Sequence, residues 1–311
     1  MARSTASRTA ITTLGVVGAV GAAAAVWGMG IERHLYTVRR HTLHALPPGA
    51  APLRVLHVSD VHMAPWLHRR QRWVASLAAL APDVVVNTGD NLGHVEGLAG
   101  IRAAFAPFRG IPGVFVHGSN DHAAPSPRNP LKYFRGPSKI KRVADPLDTG
   151  ALDHYLGEEL GWADLNNTAT TLHVRGLRVD AFGVSDAHRS WDRLSALPPL
   201  VTAMREQGPA DLVWGVTDAP HQRVLNEFVD LGADMIFAGH THGGQVRIPF
   251  SKSALVANCD IPLDQARGLS TWTHDGRTVP LNVSAGVGHS IYAPVRFATR
   301  PEASLITLLP R

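Results

Sequence analysis

"LRVLHVSDVH" (residues 53–62) decides how this chain is read. Its first half is apolar and its end is Ser-Asp-Val-His, the pattern of a buried strand that stops on polar residues. Two stretches of the same build follow, "DVVVNTGD" (83–90) and "GVFVHGSND" (113–121). Between the first two, "HRRQRWVASLAALAP" (68–82) places Trp73, Leu77 and Leu80 at helical spacing, and a second helix is expected within 95–108. Strand alternating with helix predicts an α/β fold with a largely parallel core. In open α/β sheets ligands gather at the carboxyl ends of the strands, which is where the polar residues fall.

Downstream, "LDHYLGEELGW" (152–162) reads as a helix, and "ATTLHVRG" followed by "LRVDAFGVSD" as a hairpin. "DLVWGVTDAP" is a strand, "HQRVLNEFVDLG" a helix, and "ADMIFAGHTHGGQVRIP" a strand, turn and strand. "VPLNVSAGVGHS" and "EASLITLL" are strand-like. The hairpins imply a second sheet. Upstream, "HLYTVRRHTLHAL" (34–46) alternates like a strand and "PPGAAP" follows as a turn. The expected division is an amino-terminal segment at 1–31, a strand and linker at 32–52, and one domain at 53–311.

The 311 residues suffice for a sizeable core, and 45% apolar with 18% charged residues is a globular balance. The single cysteine, Cys259, excludes an intrachain disulfide and a cysteine-built zinc cluster. A net charge of +5, without an aromatic-interleaved basic stripe, predicts no nucleic-acid partner. It suits small anionic substrates or an anionic membrane surface. The basic stretch "RNPLKYFRGPSKIKR" (128–142) reads as a solvated loop, or as a rim that draws such anions in. Seventeen histidines are many for this length.

Ala10 to Ile31 carries no charge over 22 residues, and Arg3 and Arg8 precede it. About 20 apolar residues span a bilayer as a helix, so the segment reads as a single-pass anchor in the cell membrane, as a signal peptide, or as a buried helix. Arg33, Arg39 and Arg40 balance the two leading arginines. The positive-inside rule therefore leaves the side open; the extracytoplasmic side is favoured.

Taken singly, the polar strand ends say little, since Asp and Gly are common in turns. Taken together they form a set: Asp60 and His62, Asp90, Asn120 to His122, Asp218, then His240 and His242. Asp60 and His62 in an extended segment would point the same way, and His240 and His242 would share a strand face. The first three members lie about one β-α unit apart.

In order, Asp-x-His, Gly-Asp, Gly-x-Asn-Asp-His, Asp-x-Pro and Gly-His-x-His resemble the calcineurin-like metallophosphoesterase superfamily. "GDN", "GSND", "NPLKYF", "GHTHGGQ" and "RPEASLITL" make it similar to the bacterial membrane-anchored branch, over about residues 35–311. The resemblance implies a four-layer α/β/β/α sandwich of two mixed sheets holding two divalent metal ions. One ion would take Asp60, His62, Asp90 and His242; the other would take Asp90, Asn120, Asp218 and His240. Imidazole, carboxylate and carbonyl donors suit manganese, iron or zinc. The implied activity is hydrolysis of a phosphodiester or a pyrophosphate, lipid-linked substrates included, by a metal-bridging hydroxide. The alternative is a degenerate member that binds metal or ligand without turnover.

Two departures from the family pattern bear on this. Asp218 stands where the family usually has His, which tilts the site toward harder ions such as manganese or magnesium; His221 is a second candidate there. The family's usual Gly-Asn-His-Asp/Glu order is also changed: Asp121 and His122 are swapped, leaving His122 as the expected proton donor and Asp121 beside it.

Overall fold

The computed structural model describes residues 2–126 and 145–311. The basic stretch at 128–142 lies outside the described residues. The first sheet is built from β1 (Thr37–Leu46), β2 (Leu53–Val58), β3 (Val84–Asn87), β4 (Gly113–Phe115) and β5 (Trp162–Asp164). The second has β6 (Thr168–Val174), β7 (Leu177–Gly183), β8 (Leu212–Val216), β9 (Met235–Ala238), β10 (Gly268–His274) and β11 (Arg277–Val283). The last strand, β12 (Glu302–Pro310), returns to the first sheet and inserts between β1 and β2. Both sheets are mixed. β2, β3, β4 and β5 run parallel, as do β7, β8, β9 and β11. β12 is antiparallel to β2, and hairpins β6–β7 and β10–β11 close the second sheet.

Alternation along β2 sets the layers. Leu53 and Val55 face the second sheet, in one cluster with Val179, Trp214 and Phe237. Leu56 and Val58 face the other way, toward Val74, Ile101 and Phe105. Those side chains belong to α2 (His68–Ser76) and α3 (Gly97–Phe105). On the far face α5 (Leu197–Glu206) and α6 (Gln222–Asp230) bury Leu197, Val201, Val224 and Phe228. In chain order α4 (Thr149–His154) falls between these two pairs, and α1 (Ala2–Val26) lies at the amino end. The result is the four-layer α/β/β/α sandwich.

The stretch read as strand and linker is an integral edge: β1 pairs in parallel with β12, and Arg39 meets Glu302 at 2.9 Å. "HTHGGQVRIP" forms no second strand; after β9 it turns through a short 3-10 segment, and Val246 makes only an isolated bridge to Phe297. The glycines that follow the histidines take left-handed backbone there, which breaks a strand. Gly15–His34 is long and apolar enough to cross a membrane.

A fully buried polar contact crosses the sheet interface. His57 is fully buried, with Nε2 2.9 Å from Thr88 Oγ1 and Nδ1 2.7 Å from Asn282 Nδ2. Burial lowers its pKa to about 3, so the ring is neutral, accepting from Asn282 and donating to Thr88. His57→Phe should cost about 2 kcal/mol by leaving Asn282 without its acceptor. Chemical denaturation measures it, and Asn282→Leu in the same chain should recover part of the loss.

Candidate metal centre

The parallel strands end side by side, and the loops that leave them stay joined. Asp60 N donates to Gly89 O (2.9 Å), His62 N to Asp90 O (2.9 Å) and Met63 N to Asn91 O (2.8 Å). The expected extended geometry at Asp60 and His62 is absent: they take φ of 50° and 43°. Asp90, His240 and His242 are left-handed as well, at 51°, 66° and 49°. His240 and His242 therefore share no strand face. Left-handed backbone at such residues costs roughly 1 kcal/mol or more each. It turns each loop sharply at the strand end and brings the side chains together. That is why the spacing arguments for a shared strand face fail while the grouping itself survives.

Asp60, His62 and His242 form one group, with a donor atom from each within 4.8 Å of the others. His62 Nε2 and His242 Nε2 are 3.1 Å apart, and His242 Nε2 is 3.5 Å from Asp60 Oδ1. Asp60 Oδ2 accepts from Ser59 Oγ (2.5 Å) and His240 N (3.0 Å), while Oδ1 is buried without a hydrogen bond. Burial, then the neighbouring Asp90 charge, raises the Asp60 carboxyl to about 7. Burial lowers His62 to about 4 and holds His242 well below the usual imidazole range.

Asp90, Asp218 and His240 form the second group, also within 4.8 Å. His240 Nδ1 is 3.5 Å from Asp218 Oδ2, and Asp90 Oδ2 is 3.7 Å from His62 Nε2. Asp90 thus lies between the groups. Asn120 joins it with N to Oδ1 (2.8 Å) and Nδ2 to Oδ2 (2.7 Å). Gly118 permits this closeness: a Cβ there would collide with the Asp90 carboxylate and stand 2.9 Å from Asp218 Cγ.

Asp218 tests whether the residues fit an ion. It is fully buried, and neither carboxylate oxygen has a hydrogen-bond partner. Burial, then Asp90, Asp186 and Asp60, raises its pKa well above the usual range. An uncompensated buried carboxylate beside three others is unfavourable unless a cation is shared among them. The donor set fits divalent ions. His221, the second candidate, turns instead to Asp260 (3.1 Å) at the start of α6.

A stability prediction follows from Asp218. Its native pKa lies above the unfolded value of 3.8, so the folded chain holds the proton more tightly. The contribution is favourable at pH below that value and is lost as pH rises through the native value. Chelated Asp218→Asn should therefore match the chelated parent near pH 4 and exceed it by about 1–3 kcal/mol at pH 8. Thermal unfolding at the two pH values measures this, and added manganese should reverse the order at pH 8.

Asp121 and His122 lie beside the groups rather than in them. Asp121 is fully buried and accepts from Asn91 N (2.7 Å), Leu92 N (3.0 Å) and Gly118 N (3.3 Å). It also meets His117 at 3.3 Å, whose other nitrogen is 2.5 Å from Asp153. Burial opposes a charged His117, but these two carboxylates outweigh it and raise the ring to about 10. Asp121 thereby ties the loop of Asp90 to that of Asn120. His122 has Nδ1 3.2 Å from Thr149 Oγ1 and packs edge-on against Trp191. Burial, then His117, lowers its pKa.

Several participants went unread in the sequence. Asp186 ends β7 as Asp60 ends β2; it is buried with Oδ2 unpartnered, and burial raises it to about 6. Its place at a further strand end in "GVSD" was the available signal. Asn258 Nδ2 donates to His240 Nε2 (3.1 Å), and the His188 ring lies 4.7 Å from that of His240. Arg70 donates to Val61 O (2.8 Å) and His62 O (2.6 Å). Arg296 donates to His242 O (2.9 Å), Gly286 O (3.3 Å) and Gly288 O. Nothing in the local sequence marks these buried arginines.

A cavity of about 360 Å³ opens over both groups, with His62, Asp90, Asn120, His188, His240 and His242 on its polar side. Clustered carboxylate and imidazole donors at the carboxyl ends of parallel strands, facing such a cavity, suit divalent ions, and with the family match they make the chain a metal-dependent hydrolase. The chain belongs to the calcineurin-like phosphoesterase family, whose model matches residues 53–244. It is similar to the metallophosphoesterase YkuE of Bacillus subtilis (strain 168), at 22% identity over 310 residues, 94% of this chain and 95% of that one. Among solved structures, a hypothetical protein from Thermus thermophilus is similar at 16% identity and a TM-score of 0.44, over 79% of this chain and 89% of that one. The Haemophilus influenzae NAD nucleotidase is similar at 13% identity and a TM-score of 0.44, over 76% of this chain and 46% of that one.

Proposed function

We propose that this protein is a membrane-anchored phosphodiesterase working with two divalent ions, manganese, iron or zinc, and belongs to the membrane-anchored branch of its family. The observation that carries it is the pair of adjacent donor groups with Asp90 between them. Asp60, His62, Asp90 and His242 would hold one ion, and Asp90, Asn120, Asp218 and His240 the other. Bound there, the ions supply positive charge that lowers the pKa of water and stabilises charge on the phosphoryl oxygens.

The chain's own groups supply the rest. Asn120 and Asp121 hold the Asp90 loop against the third strand end, so the donors need no rearrangement to act. Water gives up a proton as its oxygen bonds to phosphorus, the ester P–O bond breaks, and the leaving oxygen takes a proton. His188 lines the cavity against the ring of His240, which makes it a second candidate donor beside His122. His188→Ala should slow an alkyl ester by about 10²-fold and a p-nitrophenyl ester, whose leaving group needs no proton, far less. An equal loss on both esters would remove that role.

The anchor reading rests on Gly15–His34, and it would keep the domain at a membrane face, the extracytoplasmic one favoured. The test is hydrolysis of bis-p-nitrophenyl phosphate by the full chain supplied in turn with manganese, iron and zinc, alongside metal analysis. Two ions per chain with diester turnover are expected. A folded protein inactive with all three overturns the reading, and bound metal without turnover marks a degenerate member.

A further inference from the structure

The cavity lining combines two chemistries. Besides the donor groups it carries Val246, Leu255, Val256, Tyr292, Ala293 and Val295. Val246, Leu255 and Tyr292 remain 38%, 36% and 52% exposed, although they are large apolar side chains. A site for a small hydrated phosphate ester gains nothing from a solvated apolar wall. A ligand with a phosphoryl group at one end and hydrocarbon at the other would use both kinds of lining.

A separate observation gives the direction in which such a ligand would extend. Arg296 N donates to Gly28 O (3.1 Å), and a Cβ on Gly28 would stand 3.1 Å from Val295 Cγ2. The apolar wall is therefore joined to the end of the candidate membrane span. Glu32 fixes the junction, accepting from Trp27 Nε1 (2.6 Å), Ala298 N (3.0 Å) and Thr299 N (2.8 Å). Trp27, Met29 and Ile31 on the same turn are exposed apolar side chains. Hydrocarbon that leaves the cavity past Val295 meets the place where the span ends.

We infer that the wall formed by Val246, Leu255, Val256, Tyr292 and Val295 binds the hydrocarbon chain of an amphiphilic phosphoester drawn from the membrane. The headgroup half of this inference rests on the phosphoesterase reading; the chain half does not. Val295 lines the cavity and packs on Gly28, which puts the wall beside the candidate span; the substrate class is then a membrane amphiphile rather than a soluble ester.

The test uses the full chain in lipid nanodiscs with manganese, and two non-hydrolysable probes, octylphosphonate and ethylphosphonate, titrated by calorimetry. Octylphosphonate should bind at least about tenfold more tightly, since the extra methylenes leave water. Leu255→Asp and Val246→Asp, both at exposed positions, should each shrink that preference to about twofold, and Leu255→Met should keep it. The ratio of kcat/KM for octyl over ethyl p-nitrophenyl phosphate should follow the same order. Equal binding of the two phosphonates, or a preference untouched by both aspartates, overturns the inference, as does a wall that captures a protein partner and shows no chain preference. Chain preference without turnover of either ester overturns the phosphoesterase reading and leaves the chain site standing. Turnover without chain preference does the reverse.

Discussion

Asp90→Asn should lower diester hydrolysis by on the order of 10³-fold and leave fewer than two ions bound. The position explains the size. Asp90 lies between the donor groups, 3.7 Å from His62 Nε2 on one side and grouped with Asp218 and His240 on the other. An amide there keeps the shape of the side chain and removes the charge that both sites would share. Asn120 N and Nδ2 each now donate to a carboxylate oxygen; with a carboxamide at 90, one of the two donors faces another NH₂. The folded domain should persist, because the substitution lessens repulsion among Asp60, Asp90 and Asp218. Metal content by mass spectrometry and diester turnover on one preparation check it. Two ions and activity within tenfold of the parent would exclude Asp90 from the centre.

Arg296→Met should destabilise the protein by about 3 kcal/mol, roughly 1 kcal/mol for each of three buried carbonyls left without a donor. The guanidinium is fully buried, and burial lowers its pKa to about 10, which leaves it charged at neutral pH. It donates to the carbonyls of His242, Gly286 and Gly288, and it touches His242 Nδ1 at 3.0 Å. Methionine fills much of the same volume but donates nothing, so these carbonyls lose their common partner. His242 follows directly, since its left-handed backbone is held by this contact. Thermal unfolding should show the loss, and metal affinity should fall with it by about 10–100-fold. An unchanged midpoint would mean that ordered water replaces the guanidinium.

Much of this molecule was open to reading before any coordinates. Apolar runs of strand length separated by helical spacing specify the α/β order, and the β6–β7 hairpin follows from its alternation around Arg175 and Gly176. The carboxylates and imidazoles at the polar strand ends cluster because the carboxyl ends of parallel strands converge on one edge. Periodicity could not place β12, whose insertion between β1 and β2 is a non-local pairing. It also misread "GHTHGGQVRIP", since a left-handed turn and a strand share the same residue types until the backbone is seen.

What the amino-acid sequence determined by itself is the fold class and the set of polar residues at the strand ends, since both are written in local pattern and residue type. The tertiary structure alone decided how those donors meet. Only there does Asp121 spend its oxygens on the loop of Asp90, His188 come against the ring of His240, and Arg296 clamp the loop of His242. Only there does Gly28 come against Val295, joining the cavity wall to the amino-terminal helix. Each of these is a contact between residues far apart in the chain, set by packing of two sheets and their loops. No local spacing rule carries that information.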